Sequence, residues 1–464
     1  MTTLGQGSEI DGFLLGERIH TGSMASVYRL MGPRGQLPLI MKIPRLGPGE
    51  RAVNVIGFEV CRMVLGALAQ STHHPTLVAY GDVETTPYLV MEYVQGARLG
   101  DRVERGPLPA EEVVHLGSAL ALALHDLHRQ DVIHLDLKPT NVLYRVNGEA
   151  VLIDFGLAHH RHYPDLLAEE LRFPVGNWVY MSPEQALGVR SDPRTDIYSL
   201  GGILYELATG RLPFGRPRSI AELRRRLYRD PVPPRALNSA TPEWLQEIIL
   251  RCLEADAGQR YASAEQVAFD LVHPSRVALT ERASRTRAAG WWTHLRRRVQ
   301  STHFEPAPCP PPSRQLQAAR IVVVALAPKE TNEPLRAALR SAARDALAAD
   351  PGCRIACVTV VPPAATLSGE GEEATATGRH VRRLVELRRW GKPLALPEER
   401  LTYHVLESEK PAEALIEYVK LNDVDQILIG ASRGVAHAHL FAGVCNRIVA
   451  QAPCSVSVVR PRAE

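Results

Sequence analysis

Residues 132–143 read VIHLDLKPTNVL. Two short apolar stretches flank a polar run in which Asp136, Lys138 and Asn141 follow one another at spacings of two and three. A carboxylate, an ammonium and an amide on one short loop can accept a proton, neutralise negative charge and offer a hard oxygen to a cation. Leu135 stands between His134 and Asp136, an apolar residue inside an otherwise polar run. Why it is there depends on what surrounds the loop.

Moving a phosphoryl group requires phosphates held, a magnesium ion held and an acceptor hydroxyl aimed in line. Each requirement has a candidate. Upstream, Ile19 to Tyr28 read IHTGSMASVY between two β-like segments and form a turn that can fold over phosphates, Gly22 allowing close backbone approach. Lys42 in PLIMK offers one ammonium to phosphate oxygens, and Glu59 in GFEVCRMVL is the best-placed helical carboxylate to position it. Downstream, Asp154 in LIDFGLA joins Asn141 as a magnesium ligand, while Asp136 accepts the hydroxyl proton and Lys138 neutralises the moving group. Taken singly these are ordinary features: HTGSMAS is a common hairpin turn, and lysines and glutamates usually sit on solvated faces. Their joint order and spacing is what singles them out.

With these residues in place, the chain resembles the protein kinase family over residues 11–272. The likeness rests on the glycine-loop remnant, Lys42, HLDLKPTN, Asp154-Phe155-Gly156, SPEQ at 182–185, DIYSLG at 196–201 and Arg260. Lys138 two residues after Asp136, with Pro139, resembles the serine/threonine rather than the tyrosine class, and the likeness as a whole is to bacterial, eukaryotic-like kinases. The resemblance implies an α+β bilobal protein kinase fold. It implies ATP with magnesium, or manganese in its place, and a protein substrate with a serine or threonine acceptor. It further implies a buried Glu184–Arg260 pair, Asp196 bracing the catalytic loop, and a hinge in YLVMEYV with Met91 as gatekeeper. The backbones of Glu92 and Val94 would meet adenine, and Ile19, Gly22, Val27, Ile40, Lys42, Asn141, Leu143 and Asp154 would complete the nucleotide site.

The departures concern both ends of the site. His20 and Ala25 replace the first and third glycines of the phosphate loop, and Ile40 replaces a small alanine against adenine. These changes favour weaker nucleotide binding and leave a second reading, a silent lobe that senses nucleotide and serves as a scaffold. Leu135 replaces the arginine that in this family receives an activation-loop phosphate. The segment from Ala158 to Met181 contains no serine or threonine, and Asn177 occupies the usual threonine position. With no phosphoserine or phosphothreonine to clamp there is no clamp, and Tyr163 and Tyr180 leave a tyrosine phosphate as the alternative. The expectation is a loop active without phosphorylation, held by local pairs of Arg161 or Arg172 with Asp165, Glu169 or Glu170.

The rest of the chain divides by composition. Residues 1–10 are a tail, residues 11–94 a small sheet lobe and residues 95–272 a helical lobe with apolar residues at helical spacing. Residues 273–318 hold eight arginines against two glutamates, a net charge of +6, then the proline-rich PAPCPPPS, and read as a linker. Thr280, Ser284, Thr286, Ser301 and Thr302 lie there as candidate autophosphorylation sites, and Trp291-Trp292 before Arg296–Arg298 could meet an anionic surface.

Residues 319–462 alternate apolar β-branched runs with helical patterns, which argues for an α/β open parallel sheet. Through RIVVVALA, VDQILIGASRG and FAGVCNRIVAQAPCSVSVVRP they resemble the universal stress protein family. The interval from Gly430 to Gly443 survives, while Arg433, Val444 and Ala325-Leu326-Ala327 depart from its nucleotide-binding pattern. A sensing or homodimerising module is the implied role.

Seven scattered cysteines without a CxxC pair suit reduced thiols and a cytoplasmic location. A net charge of +3 gives no case for a nucleic-acid partner, and no apolar run reaches the roughly 20 residues of a transmembrane segment.

Overall fold

The computed structural model describes residues 5–22, 24–32, 37–46, 53–170, 174–287, 320–327, 333–363, 376–397, 400–431 and 438–461. The first lobe is a six-stranded antiparallel sheet of β1 (Glu9–Ile10), β2 (Phe13–Thr21), β3 (Ala25–Met31), β4 (Leu39–Pro44), β5 (Leu77–Gly81) and β6 (Tyr88–Glu92), in the order β1-β2-β3-β4-β6-β5. The alternation of β6 decides which face is which. Tyr88 and Val90 join Leu15, Tyr28 and Met41 in a small outer core, while Leu89 and Met91 join the large core below helix α1 (Val53–Ala67).

A short strand and helix, β7 (Ala97–Arg98) and α2 (Leu99–Val103), lead into the helical lobe. Helix α3 (Ala110–Arg129) buries Leu116, Leu120, Leu124 and Leu127 on one face. Glu111 and Glu112 in its first turn and His128 and Arg129 in its last suit the helix dipole. The site loops hang on β8 (Val132–Ile133), β9 (Val142–Tyr144), β10 (Ala150–Leu152) and β11 (His159–His160). Next come α4 (Leu166–Glu170), α5 (Arg194–Thr209), α6 (Ile220–Leu223), α7 (Pro234–Leu237), α8 (Glu243–Cys252) and α9 (Ala264–Val272). Helix α5 is nearly all buried and stops at Gly210, whose φ of 67° closes the helix as an L-residue would not readily do.

The expected tether does not begin at residue 273. Thr280 caps α10 (Glu281–Ser284) and hydrogen-bonds the Glu247 carboxylate of α8, Arg282 pairs with Glu247 and Glu254, and Ala283 is buried. Gln246 donates to the carbonyls of Arg282, Ala283 and Arg285, so this stretch packs on the helical lobe. Thr280 is consequently engaged with a carboxylate rather than presented on a loose chain. The remaining linker, with Trp291, Trp292, Ser301 and Thr302, lies outside the described residues.

Beyond it, β12 (Ile321–Ala325), β13 (Arg354–Val361), β14 (Leu401–Glu407), β15 (Gln426–Gly430) and β16 (Ser455–Val459) form a fully parallel sheet in the order β14-β13-β12-β15-β16. Helices α11 (Glu333–Ala349), α12 (Ala376–Gly391), α13 (Pro411–Leu421) and α14 (Ala438–Gln451) make the crossovers. Val322, Val323 and Val324 at its centre have no exposed surface, which is why those runs are continuously apolar. Among the described residues, no helix is long and apolar enough to cross a membrane.

Candidate active site

Asp196, fully buried at the start of α5, organises the loop quoted above. Its carboxylate accepts the backbone N–H groups of His134 (2.8 Å) and Leu135 (2.9 Å) and meets His128 Nε2 at 2.9 Å. Burial alone would raise its pKa; these donors outweigh that and hold it low. Leu135 takes a φ of 61°, its carbonyl accepts from Gln185 Nε2 at 2.9 Å, and its side chain is buried. The residue that replaces the phosphate-reading arginine thus points into the protein.

This bracing presents Asp136. Lys138 Nζ lies 2.5 Å from its Oδ2, and Asn141 Nδ2 donates to the same oxygen at 3.2 Å and to the Asp136 carbonyl at 3.0 Å. The other oxygen, Oδ1, accepts the Asn177 backbone N–H at 3.0 Å. Glu184 and Arg260 form a bidentate pair at 2.6 and 2.8 Å with almost no exposed surface. Arg226, which the motifs did not single out, is also buried and donates to the carbonyls of Trp178 and Met181.

On the sheet side, Lys42 pairs with Leu89 and Val27 across its neighbouring strands, and Ile40 with Met91. Ile19 and Val27 lie on β2 and β3, and Gly22 turns between them with its N–H on the Ala25 carbonyl at 2.9 Å. Glu92 is buried and paired with Arg145 at 2.7 Å; Val94 is buried beside it, and Leu143 lies on β9 of the other lobe.

Lys42 Nζ lies 2.5 Å from Asp154 Oδ1. Burial works against the ammonium, but Asp154 outweighs it and raises the Lys42 pKa above the ordinary lysine range. In return Lys42 lowers the Asp154 carboxyl to about 2, so it stays ionised. That suits a hard dication, as does Asn141, whose amide nitrogen is occupied by Asp136 and leaves its oxygen as the available donor. The residues present therefore fit a magnesium or manganese ion. Beside them a narrow cleft is lined by Met24, Lys42, Phe58, Cys61, Leu89 and Asp154. Cys61 was not anticipated; burial pushes its thiol up, which keeps it neutral.

Glu59 is not with Lys42. It is buried on α1, and its Oε2 is shared by Arg62 Nη2 at 3.3 Å and by Arg388 Nη2 of α12, while Oε1 is buried without a hydrogen bond. The activation segment also differs from expectation. Asp165 pairs with Arg190 at 2.7 Å, and Arg161 lies 3.9 Å from Asp131. Glu169 and Glu170 are held by residues of the C-terminal domain, not by local arginines. Arg172 lies outside the described residues.

Residues 15–271 match the model for the protein kinase domain. The chain belongs to the protein kinase domain family. Residues 319–460 match the universal stress protein family, so this kinase-family chain carries both units in one polypeptide. Similar proteins include the probable serine/threonine-protein kinase CPE1738 of Clostridium perfringens, 36% identical over 43% of this chain and 29% of that protein. Serine/threonine-protein kinase Pkn1 of Myxococcus xanthus is 37% identical over 54% of this chain and 34% of its own length. Serine/threonine-protein kinase PknB of Mycobacterium tuberculosis is 30% identical over 56% and 42%. The chain thus spans less than half the length of these curated relatives. The solved kinase domain of Mycobacterium tuberculosis PknI aligns with 58% of this chain and 99% of its own length, at 20% identity and a TM-score of 0.45.

Proposed function

We propose that this chain is an ATP- and magnesium-dependent serine/threonine protein kinase that needs no phosphate on its activation segment. The observation that carries the reading is the catalytic loop itself: Asp136 presented between Lys138 and Asn141, with Asp196 bracing the backbone beneath it. Asp136 orients the acceptor hydroxyl and takes its proton as the new O–P bond forms and the bond to the leaving diphosphate breaks. Lys138 and Lys42 offset phosphate charge. Asn141 and Asp154 would hold the metal ion, whose contribution is to neutralise charge on the transferring phosphates. Glu59 would complete the set by pairing with Lys42 once α1 moves. Independence from loop phosphorylation is supported by the inward-facing Leu135 and by the absence of serine and threonine from residues 158–181. The C-terminal domain would serve regulation or self-association. Since α4 lies against β14, the sheet edge left for pairing with a second copy is β16.

Transfer of labelled phosphate from ATP with magnesium, to the protein and to a basic protein substrate, tests the reading. Asp136→Asn and Lys42→Met should each lower the rate by about 10²-fold or more, as expected when a positioned proton acceptor or a phosphate-binding charge is lost. If transfer is unchanged in Asp136→Asn, the proposed role of that carboxylate is wrong. If no form of the protein, variants in the C-terminal domain included, transfers phosphate yet ATP raises the melting temperature, the chain is a nucleotide-sensing scaffold.

A further inference from the structure

The C-terminal domain grips the kinase lobes at two places, both of which matter for the chemistry proposed above. The first is Glu59. Arg388 of α12 holds its Oε2 and also bonds Asp82 Oδ1 at 3.0 Å, tying α1 and the β5–β6 turn to the second domain. The second is the activation segment. Glu169 Oε2 accepts from Arg354 Nη2 at 2.7 Å and from the Tyr418 hydroxyl at 3.0 Å, and lies 2.9 Å from His404 Nε2. Glu170 lies 3.3 Å from His404 Nδ1 and 3.9 Å from His380 Nε2. Both carboxylates are buried in this basic socket of β13, β14, α12 and α13.

We propose that the C-terminal domain is a built-in inhibitor, which releases the kinase only when the Arg388–Glu59 contact and the socket around Glu169 and Glu170 come apart. The proposal rests on the kinase reading above and adds its control.

Three observations give the contact an inhibiting sense. Among the described residues no ion pair joins Glu59 to Lys42; its paired oxygen faces Arg388 and its other oxygen has no hydrogen bond although buried. An unsatisfied buried carboxylate oxygen carries a desolvation cost that pairing with an ammonium would relieve, so the present position of α1 is one the second domain has to maintain. Next, the segment fixed through Glu169 and Glu170 continues to Asn177, whose backbone N–H sits on Asp136 Oδ1, an oxygen the acceptor hydroxyl needs. Finally, the usual way of ordering this segment is absent here: no residue from 158 to 181 can become phosphoserine or phosphothreonine, and Leu135 could not bind the phosphate. Two fixed carboxylates and a basic socket on another domain stand where a phosphate and an arginine would act, so control passes from a covalent modification to docking. Apolar packing supports it: the buried side chains of the lobes and of the C-terminal sheet, Leu167 and Leu384 among them, form one continuous cluster.

The test uses the full chain with one change on each side of the contact. Arg388→Ala removes the inter-domain partner of Glu59 and leaves Arg62, and Glu169→Gln removes the charge from the socket while keeping its shape; neither residue belongs to the catalytic set. Both variants should raise the initial rate of phosphate transfer by about tenfold or more. Arg388→Lys, which keeps a cation beside Glu59, should raise it less than Arg388→Ala. Hydrogen exchange should speed up in residues 166–170 and in α1 of both variants, and Asp136→Asn added to either should abolish the gain. Rates equal to or below wild type in variants whose exchange has increased would overturn the inhibition while leaving the kinase reading intact. Unchanged exchange in both variants would overturn the clamp itself. Loss of transfer in every form, despite faster exchange, would remove the kinase reading and the inhibition with it.

Discussion

Arg260 holds a full charge with no exposed side-chain surface, and Glu184 is the group that makes this tolerable. Its guanidinium also donates to the carbonyls of Glu254, Arg194 and Ala255, while Thr195 donates to Glu184 at 2.7 Å. Replacing Arg260 by alanine leaves a buried carboxylate with a single hydroxyl donor. That should destabilise the helical lobe by about 3–5 kcal/mol, read as a lowered urea midpoint of that lobe. Arg260→Lys should recover little, since an ammonium cannot reach three carbonyls and both carboxylate oxygens. This pair, like Asp136, Lys138, Asn141 and Asp154, was legible in the sequence because each member sits inside a short run with tight spacing. The distant partner of Glu59 was not: Arg388 lies 329 residues further on, and no local pattern encodes a contact of that span.

Helix α1 shows how little room an element has beside the site. A Cβ at Gly57 would meet the Gly156 carbonyl at 3.1 Å and the end of Met24 at 2.8 Å. Met24 can swing aside, but the backbone of Asp154-Phe155-Gly156 cannot easily do so. Gly57→Ala should therefore push α1 outward and slow phosphate transfer by between about 10- and 100-fold, measured in the Arg388→Ala background where Glu59 is free to reach Lys42. Alanine's better helix propensity offsets the crowding, so the unfolding free energy should move by less than about 1 kcal/mol. At this scale the strands and long helices were readable from period-two and helical patterns, since one face of each meets a core. Helix α4 was not. Five residues have no periodicity to read, and this segment is helical where its carboxylates meet the second domain. The linker's first turn escaped notice similarly, because the polar groups that dock it on α8 look from sequence like a solvated run.

For the whole molecule, the order of two domains was plain from composition, but their mutual placement was not, since it depends on charges that pair only once both are folded. His404 is a histidine of that interface in contact with both glutamates of α4. It is buried in β14 facing Glu169 and Glu170 of α4, with Thr402 on the same strand, Arg354 on neighbouring β13, the Tyr418 ring of α13 tilted against it at 5.4 Å and His380 of α12 nearby. Burial opposes its charge, yet the two glutamates win and raise its pKa to about 9. A proton on His404 therefore favours docking. Its contribution is complete below the ordinary histidine value of about 6.5 and drains away as pH climbs through about 9. The full difference corresponds to about 3 kcal/mol at most. Glu169 works in the other direction but outside this window: burial raises its pKa, Arg354 and His404 lower it further, and the net depression keeps its contribution present until strongly acidic pH. Raising the pH from 6.5 to 9 should thus open the interface, seen as a larger radius of gyration in solution scattering and faster exchange of residues 166–170 after correction for the intrinsic rate. His404→Gln, which cannot carry the charge, should dock more weakly at pH 6.5 and lose most of this dependence. A steep pH response surviving in that variant would place the titrating group elsewhere, and a flat response in the wild type would mean that docking does not draw on the His404 charge.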